Sequence, residues 1–168
     1  MDAFEGLSEF VASHTATLSR LAYLLAGNHA DAQDLLQSAL TKTAVRWHRV
    51  SGYDDPVAYV RRVMVNEATS RWRRWRRLRI DPVGGVPERT RPDDAAHAVG
   101  RVVLWEALGR LTNRQRALLV LRFYEDRSVQ ETADLLGCSV GTVKSQTHHA
   151  LARLRAIAPE LAELEVVA

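Results

Sequence analysis

At 168 residues, 46% hydrophobic and 26% charged with a net charge of +3, the chain can bury one moderate core or two small ones. Its single cysteine, Cys138, excludes an internal disulfide and a cysteine-based zinc site. No apolar run approaches the roughly 18 residues of a membrane span, and MDAFEGLSEF has no basic stretch followed by an apolar one, so a soluble cytoplasmic protein without membrane insertion is expected.

In chain order, residues 3–26 place Phe10, Leu18, Leu21, Leu24 and Leu25 at helical spacing, closed by Gly27-Asn28. A second helix is predicted over 30–49, with Leu35, Leu36, Ala39, Leu40 and Trp47 inward and Asp31, Asp34, Gln37 and Thr41 outside that stripe. Acids in a first turn also favour the helix dipole, so Asp31 and Asp34 fit capping as well as contact. Val50 to Asp55 reads as a loop. Asp55-Pro56 then supplies an N-cap and an N1 proline for a long helix to about Arg77, with Val57, Val60, Met64 and Ala68 inward.

That helix ends in SRWRRWRRLR. Residues 1–60 hold seven acids against four bases, whereas residues 61–79 hold eight Arg against one Glu. The positive charge is therefore a block, which would repel itself without an anionic partner, and nucleic acid is the expected one. Trp72 and Trp75, interleaved with the arginines, can stack on bases or close a core edge. The alternative for the block is a solvated basic face.

Between Ile80 and Ala96, IDPVGGVPERTRPDDAA is rich in Pro, Gly and charge and reads as a flexible linker. The expected fold is thus all-α, two small helical domains on a tether. The second starts near Ala98 with Val102, Val103, Trp105, Leu108 and Leu111. Thr112 and Gln115 form a capping box that opens a helix carrying Leu118, Leu119, Leu121 and Phe123. Ser128 and Glu131 form another, with Val129, Ala133 and Leu136 inward and Gly137 as terminator. Ser139 can cap the next helix, whose stripe is Val140, Val143, Thr147, Leu151 and Leu154.

The opposite face of that last helix carries Thr142, Ser145 and His149, flanked by Gly141, Gln146 and His148, with Lys144 able to reach outward. Small residues and hydrogen-bonding groups suit a DNA major groove, where base edges present donor and acceptor patterns. This is the reading of a helix-turn-helix. A solvated αα-hairpin is the alternative.

Other chemistries find little support. Adjacent His148 and His149 point about 100° apart on a helix and lack zinc-ligand spacing, so no metal site is expected. No nucleophile is paired with a base, so neither an enzyme nor a small-molecule substrate or cofactor is expected.

The ordered set HADAQDLLQSAL, DDPVAYVRRVMVNEATSRWRR, a Pro/Gly linker and LTNRQRALLVLRFYEDRSVQETADLLGCSVGTVKSQTHHALARLR resembles the extracytoplasmic-function (ECF) sigma factors of bacterial RNA polymerase over nearly the whole chain. In texture it is closest to the actinobacterial SigE-like group. The resemblance implies a promoter-specificity subunit that binds core RNA polymerase and directs transcription initiation. Residues 1–79 would be the region 2 domain, for polymerase binding, −10 recognition and melting. Residues 80–97 would be the linker, and 98–168 a four-helix region 4 domain, winged-helix-like without a wing, for −35 recognition.

Residue by residue, the resemblance places Asp31, Asp34, Leu35 and Gln37 on the clamp helices of the polymerase β′ subunit; many relatives carry Glu where this chain has Gln33 and Ser38. It assigns Ser51, Gly52, Tyr53, Asp54, Asp55 and Asn66 to a captured −10 base. Arg61, Arg62, Arg71, Arg73, Arg74, Arg76 and Arg77 would follow the DNA backbone there. It puts Lys144, Ser145, His148 and His149 on the −35 bases, and Arg122 and Thr142 on phosphates. An anti-sigma factor is a further partner that it implies. The rival readings are an autonomous helix-turn-helix regulator binding operators without polymerase, and a helical adaptor whose arginines meet an acidic surface.

Overall fold

A computed structural model of the chain describes residues 4–77 and 97–162, and every regular element among them is helical. The chain forms two compact units, Met1–Arg71 and Trp72–Ala168. The expected linker falls almost wholly in residues 78–96, outside the described residues, as does the expected boundary after residue 79.

In the first unit, α1 (Leu7–Ala26) buries Phe10, Leu18, Leu21, Ala22, Leu24 and Leu25. It ends where Gly27 turns left-handed, at φ 82°, and donates its N–H to the Tyr23 carbonyl at 2.7 Å, a conformation that glycine adopts at little cost. Asn28 caps α2 (His29–Val45) by accepting from the Asp31 N–H at 2.9 Å. Ala32, Leu35, Ala39 and Thr43 are its buried stripe.

The helix expected over 30–49 is broken. Arg46 leaves helical geometry (φ −111°, ψ 11°), and a separate turn, α3 (Trp47–Val50), follows. Its cause is tertiary. The Trp47 ring packs against Phe10, with centroids 5.0 Å apart, and its Nε1 donates to the Glu5 carbonyl at 2.7 Å. Trp47 and Val50 are both buried, and burying such side chains stabilises by about 1.5–3 kcal/mol each. That gain exceeds the loss of a regular helical turn. Leu36 and Leu40 are only half-buried.

The last helix to begin in this unit is α4 (Pro56–Arg77). The Asp55 carboxylate accepts from the Ala58 N–H at 2.9 Å, as an N-cap should. Val60, Met64, Val65 and Ala68 are its core face, and Val57 is half-buried. Glu67 on α4 receives Lys42 and Ser38 of α2, the latter at 2.9 Å.

The second unit holds α5 (His97–Gly109), α6 (Asn113–Leu119), α7 (Val129–Leu136) and α8 (Val140–Ile157). Both capping boxes form: Thr112 accepts from the Gln115 N–H at 3.2 Å, and Ser128 from the Glu131 N–H at 3.1 Å. After α6 the chain widens into a π-helical turn, Val120–Tyr124. Phe123, expected inward, is 62% exposed there, because the wider turn rotates it off the Leu118–Leu121 face. Asp126 then takes a left-handed φ of 51°. Gly137 ends α7 at φ 63°, and Ser139 caps α8 by accepting from the Thr142 N–H at 3.1 Å.

The core of this unit includes Leu108, Leu111, Leu118, Leu121, Ala133, Leu136, Val143 and Ala150. On α8 only Val143 and Ala150 are fully buried. Val140, Thr147, Leu151 and Leu154 are half-buried, so the helix presses one narrow seam inward and leaves the rest to solvent.

Candidate nucleic-acid interface

The face of α8 opposite Val143 and Ala150 is open. Gly141, Lys144, Ser145, His148 and His149 are exposed, while Thr142 and Gln146 are half-covered. The Ser145 hydroxyl donates to the Thr142 carbonyl at 3.2 Å, which leaves its oxygen free to accept. Thr142 itself is held at the helix start, its hydroxyl 2.9 Å from that of Ser139. The His148 and His149 rings meet edge to face with centroids 6.0 Å apart. Arg122, in the π-helical turn, is half-buried and donates from Nη1 to the Arg127 carbonyl, which aims the guanidinium while leaving other N–H groups for an anion.

Behind this face, Glu131 fixes the start of α7. The Ser128 backbone N–H, then the Ser128 hydroxyl, and beyond them Arg127 hold its carboxyl below the usual carboxylate range. Cys138 is half-buried in the turn between the helices. Among the described residues no group of three or more His, Cys, Asp or Glu could hold a metal ion.

In the first unit, all of Ser51, Gly52, Tyr53, Asp54 and Asp55 are exposed. Tyr53 meets Tyr59 edge-on at 5.7 Å, which holds the loop against the first turns of α4. Arg62 and Asn66 are exposed one turn apart on α4, and Arg61 is half-buried with a partner of its own. Farther along the helix Arg74 and Arg77 are exposed and Arg71 and Arg73 half-covered; Arg76 is a residue of the same helix.

The α2 residues expected to meet the polymerase divide. Asp34 and Gln37 are exposed. Asp31 is half-buried, its carboxylate accepting from Asn28 Nδ2 at 2.8 Å while its own N–H donates to Asn28 Oδ1 at 2.9 Å, so it braces the N-cap residue. Leu35 corrects the expectation: at 1% exposure it belongs to the core and offers nothing to a partner. Ser38 also turns inward, to Glu67.

Sequence reasoning missed a basic set at the α2–α3 break, where Arg46, His48 and Arg49 are all exposed beside the 51–55 loop, with Val45 74% exposed next to them. The signal was present. Trp47 and Val50 sit three apart as the inward pair, which throws the three bases outward.

The helix α8 is held by one seam and offers small and hydrogen-bonding residues on its open face, and the last turns of α4 carry a run of arginines, features that suit a nucleic-acid-binding protein. Comparison with known proteins makes the class specific. Residues 10–78 match the family described as sigma-70 region 2, and residues 101–154 match sigma-70, region 4. The chain is 43% identical over 147 residues to the RNA polymerase sigma-E factor of Streptomyces coelicolor, covering 88% of this chain and 82% of that one. It is 32% identical over 156 residues to the ECF RNA polymerase sigma factor SigL of Mycobacterium tuberculosis, covering 88% and 86%. Among solved structures it resembles the sigma factor RpoE in complex with the anti-sigma factor NepR from Bartonella quintana. That likeness has a TM-score of 0.59 at 24% identity, over 96% of this chain and 98% of that one, and it bears on the fold. The chain belongs to the ECF sigma factors, the promoter-recognition subunits of RNA polymerase.

Proposed function

We propose that this sigma factor divides its contacts between the two units as follows. The open face of α8 reads the −35 element through Lys144, Ser145, His148 and His149, with Arg122 and Thr142 on flanking phosphates. The Ser51–Asp55 loop with Asn66 captures an unstacked −10 base. Arg61, Arg62, Arg71, Arg73, Arg74, Arg76 and Arg77 follow the backbone, joined by Arg46 and Arg49. Asp34 and Gln37, with Asp31 at the helix start, meet the β′ clamp helices of core polymerase. Residues 1–79 and 98–168 act as the two working domains, with 80–97 as the tether between them. No catalytic step falls to the chain, which acts in the cytoplasm and is open to restraint by an anti-sigma factor.

The observation that carries this reading is the exposed face of α8 opposite the buried Val143 and Ala150. A recognition helix must be rigid behind and bare in front. Extruding a base costs a few kcal/mol, and phosphate contacts on both sides of the 51–55 loop offset that cost. No helix among the described residues is long and apolar enough to cross a membrane.

In vitro transcription across a promoter library tests the proposal. Run-off products should appear with core polymerase plus this chain and be absent with core polymerase alone. Equal products from both reactions would refute it, and sequence-selective binding by the free chain without polymerase would return the autonomous-regulator reading.

A further inference from the structure

We propose that Arg73 is a positioning residue of the helix-turn-helix: its guanidinium braces the turn between α7 and α8 and so sets how α8 presents its open face. The inference rests on the reading of α8 as the −35 reader and adds to it a residue that touches no base.

The second unit begins at Trp72, so the end of α4 belongs to it. Within that unit Arg73 Nη2 donates to the backbone carbonyl of Asp134, 61 residues away in the last turn of α7. The guanidinium also lies over the turn itself. A Cβ added at Gly137 would stand 3.1 Å from Arg73 Nε and 3.6 Å from its Cζ. Glycine leaves that room as well as accepting the left-handed φ of 63°.

The chemistry of a helix end explains the fit. The last carbonyls of α7 lack helical N–H partners and form the negative end of the helix dipole. The Ala133 carbonyl accepts from the Cys138 N–H at 3.0 Å, whereas that of Asp134 takes the Gly137 N–H at a longer 3.3 Å. A cation near such carbonyls completes the cap. The Asp134 carboxylate is engaged by Gln130 Nε2 at 3.0 Å, so the backbone carbonyl is the group that holds Arg73.

Arg73 thereby differs from Arg74 and Arg77, which are exposed. Its Nε is buried without a hydrogen-bond partner, and Nη2 is engaged. Those two donors form one edge of the fork with which arginine grips an oxyanion. That edge is closed to DNA and leaves Nη1 for a phosphate. Burying a donor unpaired is costly, so an attraction must offset it, and the helix-end carbonyl supplies one. Gly137 to Ser139 is all that joins α7 to α8, and Ser139 caps α8. A turn that loosens there moves the start of α8, where Gly141, Thr142, Lys144 and Ser145 lie.

The test compares the full chain with its Arg73→Ala, Arg73→Lys and Arg74→Ala variants. Backbone hydrogen exchange of the free chain would be read at Cys138, whose N–H closes the turn, and at Leu118 of α6 as an internal control. Arg73→Ala should speed exchange at Cys138 roughly fivefold, the factor for one lost hydrogen bond, and leave Leu118 unchanged. Arg74→Ala should match the parent at both. Arg73→Lys should recover most of the protection, because an ammonium can donate to the same carbonyl. With core polymerase, transcription would be read from a run-off-selected promoter and from one whose −35 element is scrambled. Arg73→Ala should shrink the gain that the intact −35 element gives, and Arg73→Lys should restore it, whereas Arg74→Ala should lower both promoters by the same factor. Unchanged exchange in Arg73→Ala, equal acceleration in Arg74→Ala, or an Arg73→Ala loss shared equally by both promoters overturns the proposal while leaving the function intact. Absence of run-off products with the parent chain overturns the function, and the exchange result on the free chain is read independently of it.

Discussion

The helix-turn-helix of residues 128–157 and the helix-break of residues 29–50 are built on opposite principles. In the first, every boundary has a local chemical cause: Ser128 with Glu131, Gly137 at φ 63°, Ser139 with Thr142. In the second, nothing near Arg46 stops a helix, since Val45-Arg46-Trp47 contains neither Gly nor Pro. The break is imposed by Trp47 reaching Phe10 and the Glu5 carbonyl, across 42 residues in the latter case. The difference teaches where each unit is vulnerable. The helix α8 should yield to small changes in its caps, whereas the region beside the 51–55 loop should yield only to loss of a core anchor.

The largest effect expected from this contrast is at Trp47. Trp47→Ala should destabilise the first unit by about 3–5 kcal/mol, read as a lowered urea midpoint, and should impair −10-dependent transcription more than −35 binding. A cost under about 1 kcal/mol would mean that the break is local after all. Next, Ser145→Ala and His149→Ala should change −35 preference by about 1–3 kcal/mol for each strong contact. Arg74→Ala with Arg77→Ala should instead weaken all promoters alike and lower the salt slope by about 0.9 per lost phosphate. Altered sequence preference in the arginine variants would reverse the assignment of the two regions.

Smaller effects probe the local side of the comparison. Ser139→Ala removes the cap of α8 and should cost about 1 kcal/mol, measurable by chemical denaturation, with a parallel loss of −35 binding. Asp126→Gly should stabilise by roughly 0.5–1 kcal/mol, because glycine relieves the left-handed φ of 51° that a side chain disfavours. The smallest concerns pH. Glu131 has its carboxyl depressed by Ser128 and Arg127, so its capping contribution is present above the unfolded carboxylate range. It is lost as pH falls through the lower folded value. Glu131→Gln should flatten that part of the acid dependence between about pH 3 and 5, the range around and below a free glutamate's titration; an unchanged profile would place the acid sensitivity elsewhere.

Much of the site was legible because its geometry is short-range. The exposed set on α8 follows from helical period once the Ser139 cap and the Val143 seam are known, and Asp55-Pro56 announces the start of α4. For Leu35 the two sequence arguments disagreed: helical spacing turned it inward while the family motif put it on a partner, and its 1% exposure bears out the spacing. Phe123 was misplaced because a π-helical turn adds a residue to the period and no residue type signals one. Arg46, His48 and Arg49 were overlooked although the Trp47–Val50 spacing already turns them outward, because their charge lies outside the arginine block of residues 61–79.

By itself, the order of residues determined the all-helical class, the caps and stops, the arginine block and the bare face of α8. Each of these depends on interactions within a few positions along the chain or on charge that needs no partner to be counted. The folded structure decided the break at Arg46 and the outward turn of Phe123. At Arg46 the distant contacts of Trp47 outweigh local preference, so a helix that could continue gives way to a side chain that gains more from the core, whereas at Phe123 a widened π-helical turn shifts the period.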